Sequence, residues 1–293
     1  MVIREIKSHA ANILKSAGIE EYIFETDCIL CDILGMNKTG LIISADKTVP
    51  DNTAEKIISA AEKRASGYPL QYILGKWEFY GLEFKVGEGV LIPRPDTEIL
   101  VETVIEKLGN INSPKMIDLC GGSGCIAISL KKNLPDAVVY TAELSDKALP
   151  YLTENARLND ADINIIEGDV TSPDLAEKFG GIKFDCIVSN PPYLTDDEMN
   201  ELMPEVACEP ETALRGGKDG LFFYRKISEI WKDRLADGGL LAFEIGYRQG
   251  KAVTEIMRNA GFCDISVKKD LGGNDRVVTG SRRRQTVHPQ KNI

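Results

Sequence analysis

The stretch Lys115-Met116-Ile117-Asp118-Leu119-Cys120-Gly121-Gly122-Ser123-Gly124-Cys125-Ile126-Ala127 decides the fold. Residues 115–119 read as a buried strand, the glycines as a tight turn, and residues 125–132 as a helix whose first turn offers unpaired N–H groups. Working outward, strand-like runs at 138–142, 163–167, 184–189 and 240–245 alternate with helical patterns at 145–158, 221–235 and 249–260. A further helix at 96–108, capped by Asp96, comes before them. This alternation predicts an α/β fold with a Rossmann-like, doubly wound, mostly parallel sheet covered by helices on both faces. Residues 263–269 and 276–279 flank Gly272-Gly273-Asn274-Asp275 and predict a C-terminal antiparallel hairpin on that sheet.

Candidate ligand contacts fall at the carboxyl ends of the predicted strands, where open α/β sheets bind nucleotides. The loop itself supplies Asp118, Gly121, Gly122 and Gly124. Glu143 closes the next strand, where a carboxylate can accept from both ribose hydroxyls. Asp169 ends the third, placed to accept from an adenine amino group while the Val170 N–H meets a ring nitrogen. Gly122-x-Gly124-x-x-Ala127 also satisfies the dinucleotide fingerprint, so the loop alone leaves S-adenosylmethionine and NAD both open.

The fourth strand separates them. Phe184-Asp185-Cys186-Ile187-Val188-Ser189 runs into Asn190-Pro191-Pro192-Tyr193. Proline fixes its own φ, removes an N–H and holds the preceding residue extended, so the Asn190 and Pro191 carbonyls project in set directions. Hydride transfer needs no such hook, whereas methyl transfer to a planar NH2 does. An amide or aromatic amine nitrogen shares its lone pair with a π-system and is a poor nucleophile. Alignment must do most of the work, and it can supply about 7–11 kcal/mol in well-oriented systems. Asn190 Oδ1 and the Pro191 carbonyl can each accept one N–H and stabilise positive charge developing on that nitrogen. Tyr193 is placed to pack on the planar group and exclude water. No histidine is needed as base, and the only two, His9 and His288, lie near the chain ends.

At 293 residues and 43% hydrophobic content the chain suits one large domain plus a small one. Apolar residues at three-to-four spacing (Ile6, Ala10, Ile13, Leu14; Phe24, Cys28, Cys31, Leu34) predict a small helical domain over residues 1–66. Aromatic and β-branched residues either side of Gly81 predict a hairpin within a linker at 67–90, with the catalytic domain at 91–280 and a solvated basic tail at 281–293. No apolar run of about 18 residues appears, and the polar N-terminus is no secretory signal, so a cytoplasmic protein without membrane contact is expected. A formal net charge of −10 argues against phosphate-backbone binding. Seven scattered cysteines suit reduced core thiols, and Cys28-x-x-Cys31 lacks the second ligand pair of a zinc site, so no metal is expected.

Taken together, these motifs resemble the release factor glutamine methyltransferase (PrmC/HemK) family. The residues carrying the likeness are Gly67-Tyr68-Pro69-Leu70-Gln71-Tyr72-Ile73, Leu91-Ile92-Pro93-Arg94-Pro95-Asp96-Thr97-Glu98, the glycine loop, Asn190-Pro191-Pro192-Tyr193, Glu209-Pro210 with Ala213-Leu214, Gly216-Gly217-x-Asp219-Gly220-Leu221, and Asp275-Arg276-Val277-Val278. The resemblance spans nearly all of residues 1–280. It implies S-adenosylmethionine as donor and, as acceptor, the glutamine amide (N5) of the Gly-Gly-Gln loop of class 1 peptide chain release factors. It also implies a helical N-terminal domain that engages the release factor. Gly121, Glu143, Asp169 and Asn190 fall on the family's cofactor positions, with Asn190, Pro191, Pro192 and Tyr193 shaping the glutamine pocket. Cys120 stands where the family usually has glycine and Glu143 where aspartate is common, implying a tighter loop and a ribose contact one methylene longer.

Gln71 and Arg94 are further candidates for cleft contacts, with hairpin surface and a loop ion pair as the plainer readings. Glu209-Pro210 through Gly220 reads as a loop over the pocket, and Glu244 as an edge carboxylate. A DNA amino-methyltransferase presents the same NH2 chemistry, but it must grip phosphates and flip a base, against the acidic balance here. An NAD-binding oxidoreductase and a non-catalytic cofactor-fold module are the remaining alternatives.

Overall fold

The computed structural model describes residues 1–284 and divides them into two compact units. The first holds Met1–Trp77, Val86–Glu88 and Leu202–Cys208. Its helices are α1 (Ile3–Ser16), α2 (Tyr22–Leu34), α3 (Lys38–Ile43), α4 (Asp51–Ala65) and α5 (Leu70–Leu74). Ile6, Ala10 and Leu14 of α1 meet Ile29 and Leu30 of α2 and Ile57 and Ala61 of α4 in a core of their own. Arg64 is 7% exposed and is neutralised by Glu25 at 2.6 Å and by Glu205 at 2.9 Å. Residues 202–208 therefore belong to this unit although the chain around them does not.

A two-stranded hairpin, β1 (Lys76–Phe79) and β2 (Leu82–Lys85), turns through Tyr80-Gly81 as expected. The residues before it, 70–74, are helical, because Pro69 presets the first turn and Gly75 ends it in the left-handed region.

The second unit is built on a seven-stranded sheet in the order β5-β4-β3-β6-β7-β9-β8. These strands are β3 (Lys115–Leu119), β4 (Val138–Glu143), β5 (Asn164–Glu167), β6 (Phe184–Ser189), β7 (Leu235–Glu244), β8 (Phe262–Lys269) and β9 (Asp275–Arg282). β5 through β7 pair in parallel, and β9 inserts antiparallel between β7 and β8. Alternate residues of β3 feed the two faces. Met116 joins the core covered by α6 (Pro95–Leu108), α7 (Cys125–Asn133) and α8 (Ala148–Leu158), while Ile117 and Leu119 join the opposite one. That second face is covered by α9 (Pro173–Glu177), α12 (Phe222–Ile230) and α13 (Gly250–Asn259), with Trp231 fully buried. Two short helices, α10 (Pro204–Ala207) and α11 (Glu211–Leu214), lie between β6 and α12 in sequence.

Several boundaries differ from expectation. The helix expected over 221–235 ends at Ile230, followed by a 3-10 turn at Lys232–Arg234, with Leu235 already in β7. α6 starts at Pro95 with Arg94 as its N-cap, and Asp96 is a first-turn acid paired with Arg276 at 3.0 Å, not the cap. Proline is favoured at the first helical position because its missing N–H has no partner there anyway. β7 starts at Leu235, five residues earlier than the apolar run shows, with a register irregularity opposite Phe184 and Cys186 that accommodates Asp237-Gly238-Gly239. Ser281 and Arg282, assigned to the tail by sequence, continue β9 opposite Leu240 and Phe262. The rest of the tail expectation, from residue 285 on, lies outside the described residues.

Candidate active site

Strand register lines up the expected site before any side chain is considered. Leu119 pairs with Ala142 on one side and with Ser189 on the other, Ser189 pairs with Phe243, and Glu143 pairs with Glu167. Cys120, Glu143, Glu167, Asn190 and Glu244 consequently stand in one row along the carboxyl edge of the sheet, with Gly168 and Asp169 just beyond it. The strand order reverses between β3 and β6, where an open α/β sheet has its binding crevice.

A cavity of about 550 Å³ sits at this edge. Gly122, Glu143, Asp169, Val170, Asn190 and Pro192 line it, with Leu91, Leu144 and Phe223 supplying apolar wall. Asp118, Gly121, Gly124, Pro191 and Tyr193 are not among the lining residues. Gly121 serves the fold, because its N–H donates to the Ala142 carbonyl at 2.9 Å and a Cβ there would lie 2.3 Å from Thr141 Oγ1. Gly122, at φ +53° with open space where a Cβ would point, leaves the backbone exposed to the cavity. Asn155 holds the loop from behind, donating to the Ser123 carbonyl at 2.9 Å and the Lys85 carbonyl at 3.0 Å. Asp118 is 1% exposed, and burial pushes its carboxyl well above the ordinary range, partly offset by the Ala127 N–H.

Cys120 occupies the left-handed region at φ +69°. A side chain held there costs about 1–2 kcal/mol. Cys120→Gly is accordingly expected to be at least as stable as the parent, the relieved strain offsetting the lost packing. Cys120→Val, β-branched in the same conformation, should lose about 2 kcal/mol. Urea denaturation of the two variants checks that order, and a glycine variant less stable than the valine one would contradict it.

Glu143 is partly spent on the backbone. Its Oε1 accepts from Leu144 at 2.9 Å and Ser145 at 2.7 Å, and its Oε2 from Gly122 at 2.7 Å. A carboxylate offers about four lone-pair sites, so a diol meets one open site on Oε2, whereas the sequence predicts acceptance from both ribose hydroxyls. Asp169 is arranged similarly: Thr171 takes Oδ1 through its N–H at 2.8 Å and its hydroxyl at 2.7 Å, which leaves Oδ2 as the acceptor for a ligand.

Asn190 is oriented by its surroundings. Its Nδ2 donates to Thr97 Oγ1 at 3.3 Å, and the amide also supports the neighbouring Glu244 carboxylate. Both acceptors call for the NH2 end, so Oδ1 is the end left for a substrate. Glu244 is 1% exposed and burial pushes its carboxyl up to about 7, against the pull of Thr97, Arg276 and Asn190. Tyr193 packs into the core on the α12 side, and burial pushes its phenol up to about 12, so it stays un-ionised. Arg94 and Glu209 form the ion pair that was the plainer of the two readings, with the Glu209 side chain 1% exposed. The pair anchors the loop whose next residues, Pro210 to Ala213, line the cavity. Gln71 lies in α5 and is not among the lining residues.

Comparison with known proteins agrees with this geometry. Residues 5–75 match the PrmC N-terminal domain, and residues 95–220 match the methyltransferase small domain. The release factor glutamine methyltransferase of Fusobacterium nucleatum is 42% identical over 95% of this chain and 78% of its own length. That of Thermodesulfovibrio yellowstonii is 44% identical over 87% and 91%. The chain belongs to the release factor glutamine methyltransferase family. A Pyrococcus furiosus methyltransferase of known structure, 17% identical, covers 80% of this chain and all of its own with a TM-score of 0.52, a likeness of fold alone.

As a member of the release factor glutamine methyltransferase family the protein is a methyltransferase, and two features of its site escaped sequence reading. Thr97, 2% exposed in the first turn of α6, is the residue that sets the Asn190 amide. Its only sequence signal is its place after Arg94-Pro95-Asp96. Glu244 is the carboxylate at Asn190's side, although a strand-terminal glutamate carries no signature of burial.

Proposed function

We propose that the protein transfers a methyl group from S-adenosylmethionine to the glutamine side-chain amide of the Gly-Gly-Gln motif in class 1 peptide chain release factors. The observation that carries this reading is the Asn190 amide, turned by Thr97 so that Oδ1 is the open acceptor at the rim of the cavity. The relatives, release factor glutamine methyltransferases, support this class of substrate.

The residues present fit the donor. The charged lining consists of Glu143, Asp146, Asp169 and Glu211 with Lys147, which suits a cationic sulfonium and opposes a pyrophosphate. A volume of about 550 Å³ is within the usual range for a cofactor site. Asp169 Oδ2 would hold the adenine amino group and Glu143 Oε2 a ribose hydroxyl. When bound, S-adenosylmethionine supplies an electrophilic methyl carbon on sulfur.

The chain's own part is orientation. Asn190 Oδ1 and the Pro191 carbonyl accept the two N–H groups of the planar amide, fix its nitrogen and stabilise the charge that grows there. Pro192 closes the wall and keeps water out. The helical unit would engage the release factor; the exposed Ile42 and Ile43 at the end of α3, 74% and 78% accessible, support a docking role.

The test is incubation with labelled S-adenosylmethionine, a release factor and duplex DNA, followed by mass spectrometry of the Gly-Gly-Gln peptide. One added methyl on the glutamine is expected. Label on DNA alone, or tight NADH binding without S-adenosylmethionine binding, would overturn the reading.

A further inference from the structure

Pro191 and Pro192 have no N–H, so the Asn190-Pro191-Pro192-Tyr193 segment has few donors of its own, the Asn190 amide on Thr97 among them. Its carbonyls offer a further hold, from outside. The grip is Gln249, the N-cap residue of α13. Its Nε2 donates to the Tyr193 carbonyl at 3.0 Å and to the Gly220 carbonyl at 3.1 Å. Its Oε1 accepts from the Gly246 N–H at 3.0 Å and lies 3.3 Å from the Tyr224 hydroxyl. Two carbonyls on one end and an N–H on the other leave the amide a single orientation. Without it the Tyr193 and Gly220 oxygens would face each other with no donor between them.

The surrounding chain is shaped to allow this contact. Gly220 has φ +68°, and a Cβ there would lie 2.3 Å from the Tyr193 oxygen and 2.7 Å from Gln249 Nε2. A Cβ on Gly216 would lie 2.7 Å from Tyr193 Cα and 2.8 Å from the Pro192 oxygen. The Gly216-to-Leu221 stretch is thus a backing plate pressed against Pro192 and Tyr193, and Gln249 is the bolt through it.

We propose that Gln249 is a positioning residue for methyl transfer, joining the Tyr193 and Gly220 carbonyls and thereby fixing the direction of the Asn190 and Pro191 oxygens. This rests on the release-factor methylation reading above. Displacement of an aligning group by about 1 Å can cost about 10²-fold in rate, so the loss should appear in kcat.

The test compares the parent with Gln249→Ala and Gln249→Glu on an intact release factor, with S-adenosylmethionine affinity measured by calorimetry. Gln249→Ala is expected to lower kcat about 10–100-fold, with KM for the release factor and cofactor affinity changed by less than about threefold. Gln249→Glu puts a carboxylate oxygen against two carbonyls at high pH and regains one donor when protonated. Its rate relative to the parent should therefore rise as pH falls from about 9 to about 6. The titratable and charged groups around the amide are Tyr224, Tyr193, Glu244, Arg276 and Asp275. All are common to parent and variant and divide out of the ratio. An unchanged kcat in Gln249→Ala, a pH-independent ratio, or loss of cofactor binding in both variants, which would make the residue purely structural, overturns the proposal. A parent enzyme that methylates no release factor would instead remove the reading beneath it.

Discussion

Asn190→Ala is expected to slow methyl transfer by about 10²–10³-fold, the usual loss when one preorganised partner of a transition state is removed. Cofactor affinity should stay close to that of the parent, because Asn190 is one lining residue among many, while Glu143, Asp169 and Gly122 keep their places. The asymmetry follows from the amide's orientation. Its NH2 end is committed to Thr97 and Glu244, so the substitution removes the one acceptor aimed at substrate along with a contact inside the fold. Single-turnover rates at saturating donor, together with calorimetric titration, separate the two effects. A parallel fall in both, or no fall in rate, would show that Asn190 holds the cofactor or nothing at all.

The second large effect concerns Glu244 and pH. Burial raises its folded carboxyl to about 7 from an ordinary 4.5. The folded state therefore keeps a proton that the unfolded chain releases between those values. Stability from this group is greatest below the unfolded value and declines as pH rises through the folded one, by roughly 3 kcal/mol in all. Glu244→Gln stays neutral throughout. Its stability relative to the parent should rise by that amount between about pH 4.5 and about pH 8.5. Urea unfolding at both ends of the range measures this, and a difference that does not change with pH would mean that folding leaves the Glu244 carboxyl unshifted.

The parts legible in the sequence are those whose signals are local. Alternating apolar runs and helical spacings disclose the parallel sheet, since every strand from β3 to β7 contains a short apolar run. The glycine loop, Glu143, Asp169 and Asn190 could be placed because each directly follows such a segment, and strand ends are where an α/β sheet binds. What stayed hidden depends on partners distant in the chain. Gly121 has no room for a Cβ because of Thr141 on the neighbouring strand, a constraint that no local pattern displays. Glu143 spends three of its roughly four acceptor sites on N–H groups that only the folded loop brings to it. Gln249 looks like any polar residue before a helix until the Tyr193 and Gly220 carbonyls are seen to converge on it. Short helices such as α3, α10 and α11 carry too few residues for a periodic pattern to emerge.

The route of the chain through residues 202–208 has a practical corollary. Those residues leave the catalytic unit, complete the charge balance of Arg64 with Glu205 in the helical one, and return at Glu209 beside the cavity loop. The two units are therefore not beads that can be cut apart at a linker. A truncated catalytic fragment would carry an orphaned strap of chain next to Glu209, and a transplanted helical module would leave behind one of the carboxylates that its buried guanidinium requires. Chimeras that exchange the helical unit need to carry residues 202–208 together with the N-terminal segment, as one transplant in two pieces.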